Sequence, residues 1–462
     1  MAQYLENDLV EPFRTKSKQS GIMAIVKSLS KETLGWALYD WANSAFATTV
    51  MAGFFPIFFK EFWNSGVNVN VSTARLGFGN AFASLIVALV APVLGAAADY
   101  GNSRKKFLLL FAYLGSLFTG LLFVIPAGSW FVAISVYFIA VVGFSGANVF
   151  YDSLLPFVSL STTSDFVSGL GYSLGYLGGG ILFLINTMMV LHPASIGLSN
   201  SATAVRFSFL SVAIWWGLFT FFTAIWVPEP QERLTLAPLK DKSVFRLGFQ
   251  QVLSTLKKIR KSRNIVLFLI AYWLYIEGVD TIVRMAVDYG LSLGFDTKIL
   301  ITALLITQFV GFPATLGFSK LSEFFGTKQT ILFAIFMYAF ITVWGVFMRK
   351  SVEFYVLAIL IGLVQGGIQA LSRSFYSRLI PKERSGEYFG FYNMLGKFAA
   401  IIGPALVGIS VLGAREILLM TGYYNGNLPK VGELASRWGI ASLLLLFIAG
   451  AALLLYVKEP EE

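Results

Sequence analysis

Apolar residues along this chain come in long runs, and polar positions fall mostly between the runs or at isolated points inside them. A helix needs about 20 predominantly apolar residues to cross the hydrocarbon core of a bilayer. Twelve stretches meet that length: 34–59, 75–98, 107–127, 130–152, 166–191, 205–227, 264–288, 298–320, 329–348, 353–377, 387–412 and 437–457. The pattern predicts an all-α membrane protein of twelve transmembrane helices. Its one long polar interruption, Pro228 to Arg263, holds nine Lys or Arg and three acids and divides the spans six and six. The expected organisation is a segment 1–33, a first six-helix half 34–227, a basic linker 228–263 and a second half 264–462.

Ile22, Ile25, Val26 and Leu29 fall at helical spacing in the first segment, with Lys27 and Lys31 elsewhere around the helix. That predicts a short helix lying on the membrane surface, and a second is expected around residues 244–261. Met1 to Thr33 lacks the apolar core of a cleavable signal peptide.

Composition agrees with the pattern. Hydrophobic residues make up 56% of the 462 positions and charged residues 13%, against about 25% charged in soluble domains. Without cysteine there are no disulfides or thiolate metal sites. The single histidine, His192 beside Pro193, reads as a span-boundary residue. An even number of spans puts both ends of the chain on one side. Arg14, Lys16, Lys18, Lys27 and Lys31, then Arg104 to Lys106, then the nine bases of the linker all fall on that side, while opposite loops carry few bases, such as Lys60 and Lys298. Both termini are therefore expected in the cytoplasm. The net charge of +10 is a topology signal rather than a nucleic-acid surface. Short loops suit a bacterial inner (plasma) membrane, with a eukaryotic internal membrane the alternative.

The two halves repeat one another. Trp36-Ala37-Leu38-Tyr39-Asp40 has a counterpart in Trp273-Leu274-Tyr275-Ile276-Glu277, 237 positions on; Asn43 and Asp280 follow each acid by three. Asp99 to Arg104 at the end of span two matches Glu323 to Lys328 at the end of span eight, offset 224. Tyr151-Asp152-Ser153-Leu154-Leu155-Pro156 matches Tyr376-Ser377-Arg378-Leu379-Ile380-Pro381, offset 225. With six spans per half the repeat is parallel, about an axis along the membrane normal.

Six plus six parallel spans with a basic central linker resemble the major facilitator superfamily. The run Gly95-Ala96-Ala97-Ala98-Asp99-Tyr100-Gly101-Asn102-Ser103-Arg104-Lys105-Lys106 is similar to that superfamily's signature between spans two and three, with Tyr100 where a base is common and the basic run shifted by one. Gly35 to Phe46 resembles the opening span of one branch, the autophagy-related vacuolar effluxers of fungi and their bacterial relatives. The resemblance implies the major facilitator fold and rocker-switch alternating access. It also implies a small polar organic solute, with an amino acid the first candidate and efflux the direction.

Ionisable residues inside a span cost about 2.5–3.5 kcal/mol each on insertion scales and persist where paired or useful. Glu277 lies about 20 Å into span seven and Lys397 about 15 Å into span eleven. An ion pair between them is expected, with Glu277 the proton-coupling carboxylate; a fixed structural pair is the competing reading. Asp40, with Tyr39, Trp41 and Asn43 nearby, is a candidate for contacting solute or for anchoring span one at the interface, and Asn43, Glu277, Asp280 and Lys397 are the other candidates around a central site near mid-membrane. Glu277, Asp280, Arg284 and Asp288 share one stripe of span seven, which makes Arg284 and Asp288 candidates for an outer gate. Gly171, Gly175 and Gly179 repeat every four residues and read as a helix-packing face, with Tyr172 and Tyr176 candidates for the solute path. Pro92 and Pro313 fall inside spans two and eight, where they are expected to kink the helices. The resemblance implies that Asp99, Arg104 and Asp152 form a charge network closing the cytoplasmic side. Glu323, Lys328 and Arg378 would be its partial second copy, Ser377 standing where Asp152's counterpart would be; a topology signal is the alternative for the bases.

No phosphate-binding loop, metal constellation or nucleophile–base pair can be assembled, so an enzyme, a cofactor and a metal are not expected. The expected partners are a small-molecule solute, protons and the lipid bilayer, without nucleic acid, and the chain is expected to be a monomer. A membrane receptor or sensor and a lipid-handling transporter are the rival readings of the same fold.

Overall fold

A computed structural model describes residues 29–67, 69–231, 254–421 and 428–459. Among the described residues twelve helices are long and apolar enough to span a membrane. They are α1 (Lys31–Trp63), α2 (Val69–Tyr100), α3 (Arg104–Leu121), α4 (Trp130–Val158), α5 (Ser164–Leu191) and α6 (Ser201–Trp226), then α7 (Arg263–Ser292), α8 (Thr297–Phe325), α9 (Thr327–Phe347), α10 (Ser351–Leu379), α11 (Ser385–Met420) and α12, built from Leu428–Ala441 and Leu444–Leu455. Among the described residues there is no strand. In the linker, residues 254–261 are helical; the expected surface helix near residue 25 and residues 232–253 of the linker lie outside the described residues. Between the last two predicted spans, residues 413–420 and 428–436 are helical, because α11 continues to Met420 and α12 begins at Leu428.

Helix starts follow local chemistry. Ser30 accepts from the Thr33 N–H at 3.1 Å to cap α1, Asn200 caps α6 through Thr203 at 2.8 Å, and Asp296 caps α8 through Lys298 at 2.7 Å. Each supplies an acceptor to an amide that has no intrahelical partner. Two tight turns require a left-handed residue, Asn102 (φ 45°) between α2 and α3 and Gly326 (φ 84°) between α8 and α9. These turns are repeat counterparts at offset 224, and a lysine follows each, Lys105 standing one position beyond Arg104, the counterpart of Lys328 at that offset. Lys105 Nζ donates to the carbonyls of Ala224 and Val227 at the end of α6, and its backbone N–H to Glu229. Lys328 Nζ donates to Leu455 and Val457 at the end of α12, and its backbone N–H to Glu459. In each half a lysine ties the last helix to the start of the third, satisfying carbonyls that a helix end leaves open.

Buried apolar side chains gather in two large clusters, one from Trp36 to Val227 and one from Ile259 to Val457. Between them the halves meet where small residues let backbones touch. A Cβ at Gly95 on α2 would overlap the Gly386 carbonyl on α11, and one at Gly169 on α5 would overlap Ser319 on α8. The Gly171, Gly175 and Gly179 stripe packs as the sequence suggests: these glycines sit against Asp40, Ser44 and Thr48 of α1. Pro92 and Pro313 lie inside α2 and α8. α1 is α-helical to Ala45 and π-helical over Phe46–Phe54, a wide form found at functional sites in other helices.

Candidate functional site

Arg373 lies on α10, six residues before its end and about 9 Å inside the face where both described chain ends lie. It is 1% exposed. Its Nε–H donates to Ser168 Oγ at 2.9 Å and its Nη2 to the Ser168 carbonyl at 2.9 Å, both on α5. Its Nη1 lies 3.2 Å from Asp152 Oδ1 on α4 and 3.5 Å from Asp40 Oδ2 on α1. Tyr151 O–H donates to Asp40 at 2.8 Å, and Asn393 Nδ2 on α11 donates to Asp152 at 2.9 Å. The rings of Tyr172 and Trp36 lie 4.3 and 4.8 Å from the guanidinium carbon, close enough for cation–π attraction. One cation from the second half thus holds two carboxylates of the first. A guanidinium suits this position because it stays charged and presents several donors in fixed directions.

This triad is the floor of a cavity of about 360 Å³ between the halves. Asn43, Ser44, Thr48, Asn148, Tyr172 and Tyr176 line it from one side, and Tyr272, Gln308, Gln365, Gln369, Tyr392 and Asn393 from the other. Asn43 donates to Asn148 at 2.7 Å and Tyr176 to Gln369 at 3.4 Å. Side-chain amides and hydroxyls offer both donors and acceptors, so the lining can bind a polar solute in water's place.

Between the floor and the terminal face the halves are latched twice. Asp99 accepts from Arg104 at 2.6 Å and from the Gly386 and Glu387 amides at the start of α11, at 2.9 and 2.8 Å. Arg104 also donates to the Glu383 carbonyl at 2.7 Å. An acid at a helix N-terminus meets unpaired N–H groups and the favourable end of the dipole. On the other side Asp165, at the start of α5, accepts from Arg378 at 2.7 Å, Thr327 at 2.6 Å, Ser322 at 3.0 Å and Ser374. Among the described residues no hydrogen bond joins the halves beyond the level of Tyr176 and Phe312. The terminal face is closed in this conformation.

The structure revises several expectations. Glu277 is not paired with Lys397. Its Oε1 accepts the Gly403 N–H, because Gly403 is level with it and Lys397 lies six residues, about 9 Å, nearer the start of α11. Lys397 sits instead within electrostatic range of Asp280 and Arg284. Asp152 does not join Asp99 and Arg104 but faces Arg373 deeper in the membrane. Tyr39 is wholly buried in the first half, its ring 5.1 Å from that of Tyr151, and does not line the cavity. Glu323 is exposed and outside the latch, and Lys328 ties a helix end rather than the halves. Arg378 does latch the halves, through Asp165. Asp40, Asn43, Tyr172 and Tyr176 line the cavity, and Asp40 lies nine residues into α1, which starts at Lys31. Arg284 is exposed and makes no ion pair with Asp280; the Asp288 side chain lies outside the described residues. Sequence reading missed two charged residues, besides the amides and tyrosines that complete the cavity lining. Arg373 breaks the apolar run 353–377, a signal as strong as that of Glu277, whereas Asp165 just precedes a span and looks like an ordinary loop acid.

Comparisons with known proteins agree with this architecture. Residues 29–411 match the family model described as "Vacuole effluxer Atg22 like". The chain is 37% identical over 438 residues to the MFS-type transporter YxiO of Bacillus subtilis, covering 94% of this chain and 96% of that one. It is 22% identical to autophagy-related protein 22 of Saccharomyces cerevisiae, covering 87% and 88%. Its fold is similar to that of the human organic anion transporter MFSD10, with a TM-score of 0.68 at 12% identity and coverage of 92% and 99%. The proton:xylose symporter XylE gives 0.62 at 13% identity, with coverage of 93% and 95%. Twelve spans in the major facilitator fold, a polar chamber between the halves and a full-length transporter relative together place this chain in the Atg22-like family of MFS-type membrane transporters, which are not enzymes.

Proposed function

We propose that the protein is a secondary active transporter that carries a small polar organic solute by rocking its two halves about the central cavity. The observation that supports this best is the triad of Arg373, Asp40 and Asp152, which joins the halves at the cavity floor. A proton taken up by either acid would remove one partner of Arg373 and loosen the floor. Protons are accordingly the proposed driving ion. An amino acid is the first candidate solute and efflux the proposed direction, both from the vacuole-effluxer relatives. The latches at Asp99 and Asp165 would then be the cytoplasmic gate, with both termini in the cytoplasm of a bacterial plasma membrane. Residues 34–227 and 264–462 are the proposed moving halves, the chain acts as a monomer, and Arg284 and Asp288 remain candidates for the outer gate.

The test is flux in proteoliposomes loaded with a panel of radiolabelled amino acids, with and without an imposed pH gradient. Gradient-driven movement abolished by Arg373→Ala in a folded variant is the expected result. No movement of any amino acid would overturn the amino-acid reading. Movement unaffected by a proton ionophore would overturn proton coupling.

A further inference from the structure

The basic linker ends in an ordered arrangement that carrying a solute leaves unexplained. Residues 254–261 form a helix that stops at Ser262, and α7 starts at the next residue, Arg263. Thr255 and Ile259, one turn apart, are 0% and 5% exposed, and Ile259 packs with Leu256 into the apolar cluster of the second half. The opposite side is basic. Lys257, Lys258, Arg260 and Lys261 are exposed, as is Arg263, and no acid falls between 254 and 263. At about 100° per residue the four helical bases fan over the face turned away from Thr255 and Ile259. None of these five side chains has a hydrogen-bond or ion-pair partner among the described residues. Asn264 exchanges two hydrogen bonds with the backbone of Lys458 at the end of α12, at 2.9 and 2.7 Å, so a further exposed base stands beside the same helix end.

A topology signal needs only that bases lie near the end of a span. It does not need them fixed on one side of an anchored helix. Arg260, Lys261 and Arg263 lie within about 5 Å of the start of α7 along the chain, at the level of a headgroup layer about 5–8 Å thick. Clusters of about four to eight bases beside a span attract anionic lipid. We propose that the exposed face of this helix, with Arg263, binds the headgroups of anionic phospholipids in the leaflet at the terminal face. The helix also touches a latched turn. Arg384 Nη1 donates to Thr255 Oγ1 at 3.5 Å. From its other side the turn Lys382–Arg384 is gripped by the first half: Arg104 donates to the Glu383 carbonyl, Lys382 Nζ lies 5.0 Å from the Phe157 ring centre, and Ser385 Oγ donates to the Ser153 carbonyl at 2.8 Å. Anionic lipid that holds the helix in place, with Thr255 against Arg384, therefore favours the closed face. Binding of the lipid does not rest on the transport reading.

The test uses purified full-length protein in nanodiscs of phosphatidylcholine, alone or with phosphatidylglycerol. Native mass spectrometry counts the phosphatidylglycerol retained. The chain has no cysteine, so the rate at which a maleimide labels Ser385→Cys reports opening beside the turn. Compared with the parent are a neutral variant (Lys257→Gln, Lys258→Gln, Arg260→Gln and Lys261→Gln together) and a charge-keeping one (Lys257→Arg, Lys258→Arg and Lys261→Arg). The parent and the charge-keeping variant should retain phosphatidylglycerol, and the neutral variant about tenfold less, with an unchanged melting temperature in phosphatidylcholine showing that it is folded. Labelling should be several-fold slower in the anionic membrane only where the lipid is retained. Equal retention by all three overturns the lipid site, and so does its loss in the charge-keeping variant. Retention with no change in labelling overturns the effect on the closed face. Equal slowing by inorganic phosphate in phosphatidylcholine alone would assign the face to a soluble anion and overturn the lipid.

Discussion

Arg373 on α10 and Asp152 on α4 meet at 3.2 Å across the boundary between the halves, 221 residues apart in the chain. Neither half can leave the other at the terminal face without separating them. Removing one member of a buried ion pair costs about 3–5 kcal/mol, chiefly because the other charge is left without a partner. Arg373→Ala should lower thermal stability and reduce flux at least tenfold. Arg373→Lys should restore folding better than flux, since an ammonium cannot make the fork of bonds to Ser168 and Asp152 together. Melting curves and proteoliposome flux on the two variants check this; equal recovery of both properties would count against a coupling role.

The two latches hold the face differently, Asp165 by side chains and Asp99 partly by helix-start amides. Because the chain has no cysteine, a single Ser385→Cys reports access, its hydroxyl now being buried against the Ser153 carbonyl. Added Asp165→Ala or Asp99→Ala should speed its labelling by a membrane-impermeant maleimide several-fold from the terminal side. Unchanged labelling in both would mean these acids do not hold the face shut.

Gly95 has no room for a side chain against the Gly386 carbonyl. Gly95→Val should therefore favour the conformation with α2 and α11 apart, at a cost of about 1–3 kcal/mol to the closed form. The expected readout is faster labelling of the same cysteine with twelve spans still inserted. A variant as closed as the parent would refute the close-packing argument.

Lys105 and Lys328 tie helix ends within one half each. Lys105→Met and Lys328→Met should each cost about 1–3 kcal/mol through carbonyls left without donors. Both should leave the labelling of Ser385→Cys at the parental rate, because neither lysine crosses between halves. Faster labelling in Lys328→Met alone would return that residue to the gate.

The residues that the sequence singled out and those that the structure joined overlap only partly. Glu277 stood out because a charge inside an apolar run is costly wherever its helix packs. Its partner could not be read that way, since a pairing depends on the register of α7 against α11, and the structure puts Gly403 level with it. Asp165 carried no signal because it sits at a span boundary, where acids are ordinary. Its importance arises only when α8 and α10 bring Thr327 and Arg378 to it.

The sequence by itself determined the number of spans, the two-fold repeat and the family, because each follows from local run length and from motifs contiguous in the chain. Tertiary structure alone decided which charges meet, where the cavity lies and which face is closed. Those contacts join residues up to 288 positions apart, and helix register and tilt set them. The low dielectric around such contacts makes each pairing decisive, while leaving no periodic trace in the chain.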